Sequence, residues 1–427
     1  MKILIKNASI ITMSKDREIF QNANIGIENT TIKFIGDIEE GFNPDKIIDS
    51  KDKVVMPGMN NSHTHIPMSL LRNYADDLPL FQWLSKKIWP IEDRFTSEHV
   101  YLGSMLSIAE MIKGGTTAFC DMYFGVEEIA RAVDETGIRA AISRGMMGED
   151  STNDSTFSEV RSLYRNYYGA AEGRITVMAA PHAPYTCSDK YIHSIMNLAD
   201  ELNIPMHMHL SETREEVKEC LEKYGKSPIE HMEELGLFRF KTLAAHCVHL
   251  SDKDIDIIAK NKVSVANNPG SNLKLGSGFA PVKKLLDKGI NVALGTDGAA
   301  SNNNQNMFEE MNLASILNKA LCEDTTVVPA IKAIEMATIN GAKAMGLDEN
   351  TGSIEVGKKA DLIIVDFNKP HLYPRLDIVS SIVYSAQASD VSHVIVNGKV
   401  LLENYELKTI DFERIIHSVD KVTKNLY

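Results

Sequence analysis

The chain has 427 residues, 44% hydrophobic and 24% charged, and a net charge of −13 from 45 Lys and Arg against 58 Asp and Glu. This is the make-up of a soluble globular protein too long for one small domain, and it excludes nucleic acid as a general partner, because phosphate binding needs a basic face. No apolar run reaches membrane-spanning length, and five cysteines without a Cys-x-x-Cys pair (Cys120, Cys187, Cys220, Cys247 and Cys322) predict reduced thiols, a cytoplasmic location and no disulfide framework.

In chain order, "MKILIKNASIITMSKDREIF" alternates and carries early charges, which predicts a strand rather than a secretory signal. "ANIGIEN" and "TIKFIGD" continue that β texture to about residue 57. "VVMPGMNNSHTH" then runs as an apolar strand into His63 and His65. Residues i and i+2 of an extended segment share a face, so these two imidazoles should stand side by side.

Thr96 or Ser97 is placed to cap a helix with the apolar stripe Leu102, Met105, Ala109 and Ile112, stopped at Gly114-Gly115. Seven further strand-like segments follow, each before a helical stretch. They are "TTAFCDMYF", "IRAAISRGM", "RITVMAAPHAPYT", "IPMHMHLSE", "TLAAHCVHL", "KVSVANNPGSN" and "INVALGTDG". Eight β-then-α units predict an α/β fold, a (β/α)8 TIM-type barrel whose active residues sit at the carboxyl ends of the strands. "GSIEVGKKADLIIVDF" and "VSHVIVNGKVLLENYEL" return to β texture. Residues 58–350 are expected to form the barrel. Residues 1–57 and 351–427 should join as a small β-sandwich module beside it.

Several barrel segments end in a group that binds metal or moves protons: His63 and His65, then His209 and Glu212, then His246, then Asp297. Three neutral imidazoles (His63, His65, His209) and the Asp297 carboxylate suit one Zn2+, or Fe2+ where availability favours it. His209 is preferred over His207 because it lies nearer the carboxyl end, with His207 one layer deeper. The fourth segment holds no lysine that could be carboxylated to bridge two metals, so one metal per subunit is expected. A divalent cation lowers the pKa of its water toward neutrality. Asp297 can take the water's proton while ligating, and His246 can orient that water. Glu212, three residues after His209, can give a proton to a substrate ring nitrogen and later to a leaving amine. "SETREEVKE" also reads as Ser211 capping a helix with Glu212 in its first turn. The stretch from Ile66 to Thr96 is expected to be a long loop that closes over the substrate.

With these residues in view, the chain resembles the amidohydrolase superfamily and, within it, the 5′-methylthioadenosine/S-adenosylhomocysteine deaminase family. The resemblance is carried by "PGMNNSHTHIPMSLLRNYADDLPLFQWL", "EMIKGGTTAFCDMY", "APHAPYTCS", "HMHLSET", "AAHCVHLS", "NNPGSNLKL", "LGTDGAASNN" and "GSIEVGKKADLIIVD". It implies a small nucleoside substrate and four substrate contacts. Glu92 would accept hydrogen bonds from ribose hydroxyls, and Trp83 would pack on the apolar part of the nucleoside. His182 would bond the purine, and Arg144 would meet a carboxylate on the 5′ substituent. Some members carry a second arginine soon after this one; here "GEDSTNDSTFSE" has none before Arg161. The implied reaction is hydrolytic deamination at C6 of adenine nucleosides. Rivals on the same scaffold are guanine or cytosine deaminases and triazine hydrolases. A rival of another class is a non-catalytic scaffold subunit. The sequence leaves a homo-oligomer open.

Overall fold

Strands that are apolar along their whole length must be buried on both faces, and a parallel sheet wrapped by helices is the way to do that. The computed structural model describes residues 1–151, 155–424 and 426–427. Five strands come first: β1 (Lys2–Ile11), β2 (Ile19–Glu28), β3 (Thr31–Gly36), β4 (Lys46–Asp49) and β5 (Lys53–Pro57). The eight predicted barrel strands follow as β6 (Met59–Thr64), β7 (Thr116–Tyr123), β8 (Arg139–Met146), β9 (Ile175–Pro181), β10 (Met206–Leu210), β11 (Thr242–His246), β12 (Ser264–Asn267) and β13 (Val292–Leu294). They form one parallel sheet in sequence order from β6 to β13. Four short strands follow the barrel, β14 (Leu362–Asp366), β15 (Val391–Val396), β16 (Lys399–Glu403) and β17 (Glu406–Leu407), before a last helix at Phe412–Thr423.

The ring closes where the turn after β13 meets β6. Asn61 Nδ2 donates to Thr296 Oγ1 (2.7 Å), and the Thr296 amide donates back to Asn61 Oδ1 (2.9 Å). The Asp297 amide donates to the His63 carbonyl (2.9 Å). Gly295 is required here by space: a Cβ would lie 2.7 Å from the His63 nitrogen and 2.5 Å from Asn268 Oδ1. Inside the ring, Ala118, Cys120, Ala141, Leu243 and Ala266 pack against Ala342, Met345 and Leu347, which plug the floor. The small side chains of adjacent strands leave room for that plug, so the polar strand ends lie at the opposite, open mouth.

The first and last strands join as expected, in one nine-stranded mixed sheet with β5 antiparallel to β14 at its centre. Its own core is rich in isoleucine, including Ile3, Ile5, Ile10, Ile25 and Ile27. It is tied to the barrel by a buried ion pair. Arg139 at the start of β8 donates from Nε to Asp361 Oδ2 (2.8 Å) and from Nη2 to Oδ1 (3.1 Å), and the Asn397 amide also donates to Oδ1 (2.7 Å). Asp361→Ala would leave the guanidinium buried and uncompensated. Urea unfolding is expected to show a loss of about 3–5 kcal/mol, and an unchanged midpoint would reject this role for the pair.

Two local expectations need correction. The stretch from Ile66 to Thr96 is not mainly a loop: it holds a short helix at Ile66–Leu71 and a continuous helical run made of Leu80–Trp83, a π turn at Leu84–Ile88, and Trp89–Glu92. Pro67 at the start of the first favours helical entry, Pro90 sits within the second run just after its π turn, and Trp83, Leu84, Ile88 and Ile91 bury one face. The helix after β10 starts at Arg214, capped by Thr213 rather than Ser211. Thr213 accepts from the Glu216 amide (3.1 Å), while the Glu216 carboxylate turns back to accept from the amides of Ser211 (2.8 Å) and Glu212 (2.7 Å). That Thr-x-x-Glu pattern is a variant of the capping box. It leaves the Glu212 side chain outside the helix, free to face the mouth of the barrel.

Candidate active site

His63 and His65 do stand side by side, ring centroids 4.9 Å apart and planes at 84°. His209, His246 and Asp297 reach the same point from β10, β11 and the turn after β13. The ring nitrogens of His63, His209 and His246 lie within 4.8 Å of one another, as do the donor atoms of His63, His65 and Asp297. His246 therefore stands no farther from His63 and His209 than a ligand would.

Hydrogen bonds aim each imidazole. His65 Nδ1 meets the Met122 carbonyl (2.6 Å), His209 Nδ1 the His182 carbonyl (2.8 Å) and His246 Nδ1 the Asn272 Oδ1 (2.8 Å). Each of these acceptors calls for a proton on Nδ1 and leaves Nε2 as a lone pair facing inward. His63 is held from below: its Nδ1 lies 2.9 Å from His207 Nε2. His207 Nδ1 lies 3.3 Å from Ser143 Oγ, which in turn donates to the Asp121 carbonyl (2.5 Å). A proton relay in that order puts the Nδ1 proton on His63. His63 Nε2 is then a fully buried nitrogen with no hydrogen-bond partner.

Asp297 has two different oxygens. Oδ2 accepts from Ser271 Oγ (2.6 Å) and Ser301 Oγ (2.9 Å). Oδ1 faces the imidazoles, 3.4 Å from His63 Nε2 and 3.2 Å from His65 Nε2. Burial alone would raise this carboxyl, but the His63 and His65 imidazoles beside it outweigh burial and hold the group well below its ordinary value. Burial lowers His63 to about 4 and keeps His209 well below 6.5. It lowers His65 too, but Asp297 overcomes it and brings that ring to about 9. A bound cation would take the place of that proton. The donor set fits a divalent metal: inward ring nitrogens, a carboxylate oxygen, and a buried orphan at His63 that a cation would satisfy.

The backbone around these groups is unusual. Ser211, His246, Cys247 and Asp297 have φ of 53°, 71°, 50° and 61°. Left-handed conformations at non-glycine residues cost free energy and concentrate at functional sites. Here they turn strand-end side chains into the mouth.

One cleft lies above the cluster. His65, His209, His246, Asp297 and Glu212 line it, together with Trp83, Glu92, Arg144 and His182. Every candidate from the sequence is therefore brought to one place, with His63 just beneath. Glu212 accepts from Ser277 Oγ at Oε1 (3.1 Å), and its Oε2 is 3.9 Å from His246 Nε2. Burial raises its pKa against the pull of His246. Trp83 donates from Nε1 to the Ala75 carbonyl (2.9 Å), which orients the ring along the wall. His182 Nδ1 bonds Thr186 Oγ1 (2.9 Å), and burial lowers this ring to about 3, so it is neutral. Glu92 accepts from the Tyr123 hydroxyl and is brought to about 7 by burial. Arg144 pairs with Glu159.

The supporting residues were not found from sequence: His207 as the partner of His63, Ser271 and Ser301 on Asp297, Asn272 on His246, and Tyr123 on Glu92. The available signal was the run of Asn, Ser and Thr just after the seventh and eighth strands. Polar residues there are also what any turn would contain.

The model of the Amidohydrolase family matches residues 54–401. The chain is 53% identical to a 5-methylthioadenosine/S-adenosylhomocysteine deaminase of Thermoanaerobacter pseudethanolicus, covering 100% of this chain and 99% of that protein. It is 54% identical, with the same coverage, to the protein of that name from Caldanaerobacter subterraneus subsp. tengcongensis. Among solved structures, an adenosine deaminase from Xanthomonas campestris with bound zinc is similar at a TM-score of 0.95 and 34% identity, covering 99% of this chain and 98% of that one.

Proposed function

The chain belongs to the amidohydrolase family, and from that premise we propose that it is a metal-dependent aminohydrolase acting on 5′-methylthioadenosine, S-adenosylhomocysteine and adenosine. The reaction adds water at C6 of the purine and releases the 6-amino group as ammonia, leaving the inosine analogue. The observation that carries this reading is the proximity of Glu212 to the His63–His65–His209–Asp297 cluster within a cleft walled by Trp83.

His63, His65, His209 and Asp297 would hold one divalent cation, Zn2+ by donor type. When bound, such an ion supplies a Lewis acid that makes water nucleophilic near neutral pH. The remaining work falls to side chains. Glu212, whose pKa is raised by burial, gives its proton to purine N1, which makes C6 electrophilic. Asp297 accepts the proton of the attacking water and delivers it toward the departing amine. His246, fixed by Asn272, orients that water. Trp83 covers the nucleoside and excludes solvent. Glu92 accepts from ribose hydroxyls. The Thr186 hydroxyl donates to the Ala183 carbonyl (3.1 Å) and so accepts from His182 Nδ1, which leaves His182 Nε2 to accept at the purine edge.

The test is kcat/KM for methylthioadenosine, S-adenosylhomocysteine, adenosine, guanine and cytosine, followed by ammonia release. Adenine nucleosides should lead. Faster turnover of guanine or cytosine, or no ammonia from any nucleoside, would overturn the reading.

His207 should matter without touching substrate. His207→Phe keeps the volume but removes the acceptor that fixes the His63 tautomer. Metal affinity, measured by chelator competition, is expected to fall about 10- to 100-fold, with activity recovering in excess metal. Unchanged affinity would show that His63 needs no such support.

A further inference from the structure

Arg144 stands at the carboxyl end of β8 and is the one Lys or Arg side chain lining the cleft among the described residues; the other charged groups there are the carboxylates Glu92, Glu212 and Asp297. Its charge is already engaged. Nε donates to Glu159 Oε2 (2.7 Å), and Nη1 donates to the Gly145 carbonyl. A guanidinium grips a carboxylate through two adjacent donors, either Nε with Nη2 or Nη1 with Nη2. In this arrangement each of those two edges has one member occupied, so an incoming carboxylate finds no complete fork.

Glu159 is held where it can do this. It lies on the helix Ser155–Tyr167, which is anchored by buried Phe157, Val160 and Leu163. Ser155 Oγ approaches its other oxygen (3.5 Å). Elsewhere the cleft lining is largely apolar: Met147 follows three residues after Arg144, and Leu80, Leu84 and Leu275 also contribute. Such a wall takes a hydroxyl or a short thioether without placing a charge on it, whereas a carboxylate-ended tail would meet the Glu159 carboxylate at Arg144.

We infer that Glu159 is a specificity-determining residue: by pairing with Arg144 it makes the cleft favour adenine nucleosides with a short, uncharged 5′ substituent over those ending in a carboxylate. This rests on the proposed deaminase reading and refines its substrate. The α-ammonium of an amino-acid tail could reach Glu159 only by breaking the same bond to Arg144. A monoanionic probe that has the carboxylate but lacks the ammonium, 5′-deoxy-5′-(2-carboxyethylthio)adenosine, separates the two charges.

The experiment compares kcat/KM for methylthioadenosine, S-adenosylhomocysteine and the carboxyethylthio probe in the wild type, Glu159→Gln, Arg144→Gln and the double variant. Ratios between substrates in one preparation are independent of the fraction of protein that is folded. The wild type should prefer methylthioadenosine. Glu159→Gln removes the carboxylate charge that competes for the guanidinium and should raise the relative kcat/KM of the probe about 10-fold, the worth of one charge-assisted hydrogen bond. That gain should vanish when Arg144 is also replaced. A wild type that prefers S-adenosylhomocysteine, an unmoved ratio in Glu159→Gln, a fall in its use of S-adenosylhomocysteine with no gain for the probe, or a gain that survives Arg144→Gln would each overturn the inference. In all four cases ammonia is still released, which separates them from failure of the deaminase reading, where none of the nucleosides reacts.

Discussion

Glu212→Gln is expected to lower turnover by about 100- to 10,000-fold, the range that general acid–base groups contribute, while the metal content stays at the wild-type level. Glutamine has the same shape and its amide oxygen can still accept from Ser277 Oγ, which lies 3.1 Å from Oε1. What it lacks is the ability to give a proton to purine N1 and take one back from the hydroxyl added at C6. The carboxyl is 5% exposed, and burial raises its pKa, so the native group holds a proton at higher pH than a carboxyl in water. Steady-state kinetics and metal analysis on the same sample make the test. Near-normal turnover would remove Glu212 from the proton path, and loss of metal would show that it supports the cation instead.

His63→Ala should abolish activity and strip the metal. This ring is fully buried, with Nε2 unpartnered and Nδ1 bonded to His207. Its loss removes a donor from the centre of the cluster and leaves His207 Nε2 without its proton donor. The fall in metal affinity should exceed the roughly 10- to 100-fold typical of an outer partner such as His207. Elemental analysis after dialysis reads this directly. Full occupancy in His63→Ala would remove His63 from the ligand set and would shift attention to His246, whose ring nitrogen lies within 4.8 Å of that of His209.

The two substitutions test different layers of one arrangement, and those layers were unequally legible in the chain. The ends of strands could be read. His63 and His65 share a face because a strand alternates, and the rings are indeed adjacent. His209 could be preferred over His207 because depth along a barrel strand follows position, and His207 does lie beneath His63. The turn after β10 was misread, because Ser211 and Thr213 are both competent caps and only the reach of Glu216 back to the Ser211 and Glu212 amides decides between them. The stretch after β6 reads as a loop because Pro67, Pro79 and Pro90 punctuate it, yet Leu80–Glu92 folds as one short helical run that passes through a π turn at Leu84–Ile88. Isolated helices of that length are unstable, and tertiary packing has to hold them.

Local pattern by itself determined the number of parallel strands, the joining of the terminal segments into one β module, and the identity of the polar groups at the strand ends. Only the tertiary structure decided which nitrogen of each imidazole faces inward, which oxygen of Asp297 is left for a cation, and that Arg144 is already paired. The reason is physical. Alternation and hydrophobic period act within a few residues and leave their mark on neighbouring letters. Ring tautomers, carboxylate orientation and ion pairing depend on partners that barrel closure brings in from far along the chain, as Asn61 and Thr296 are brought together across 235 positions.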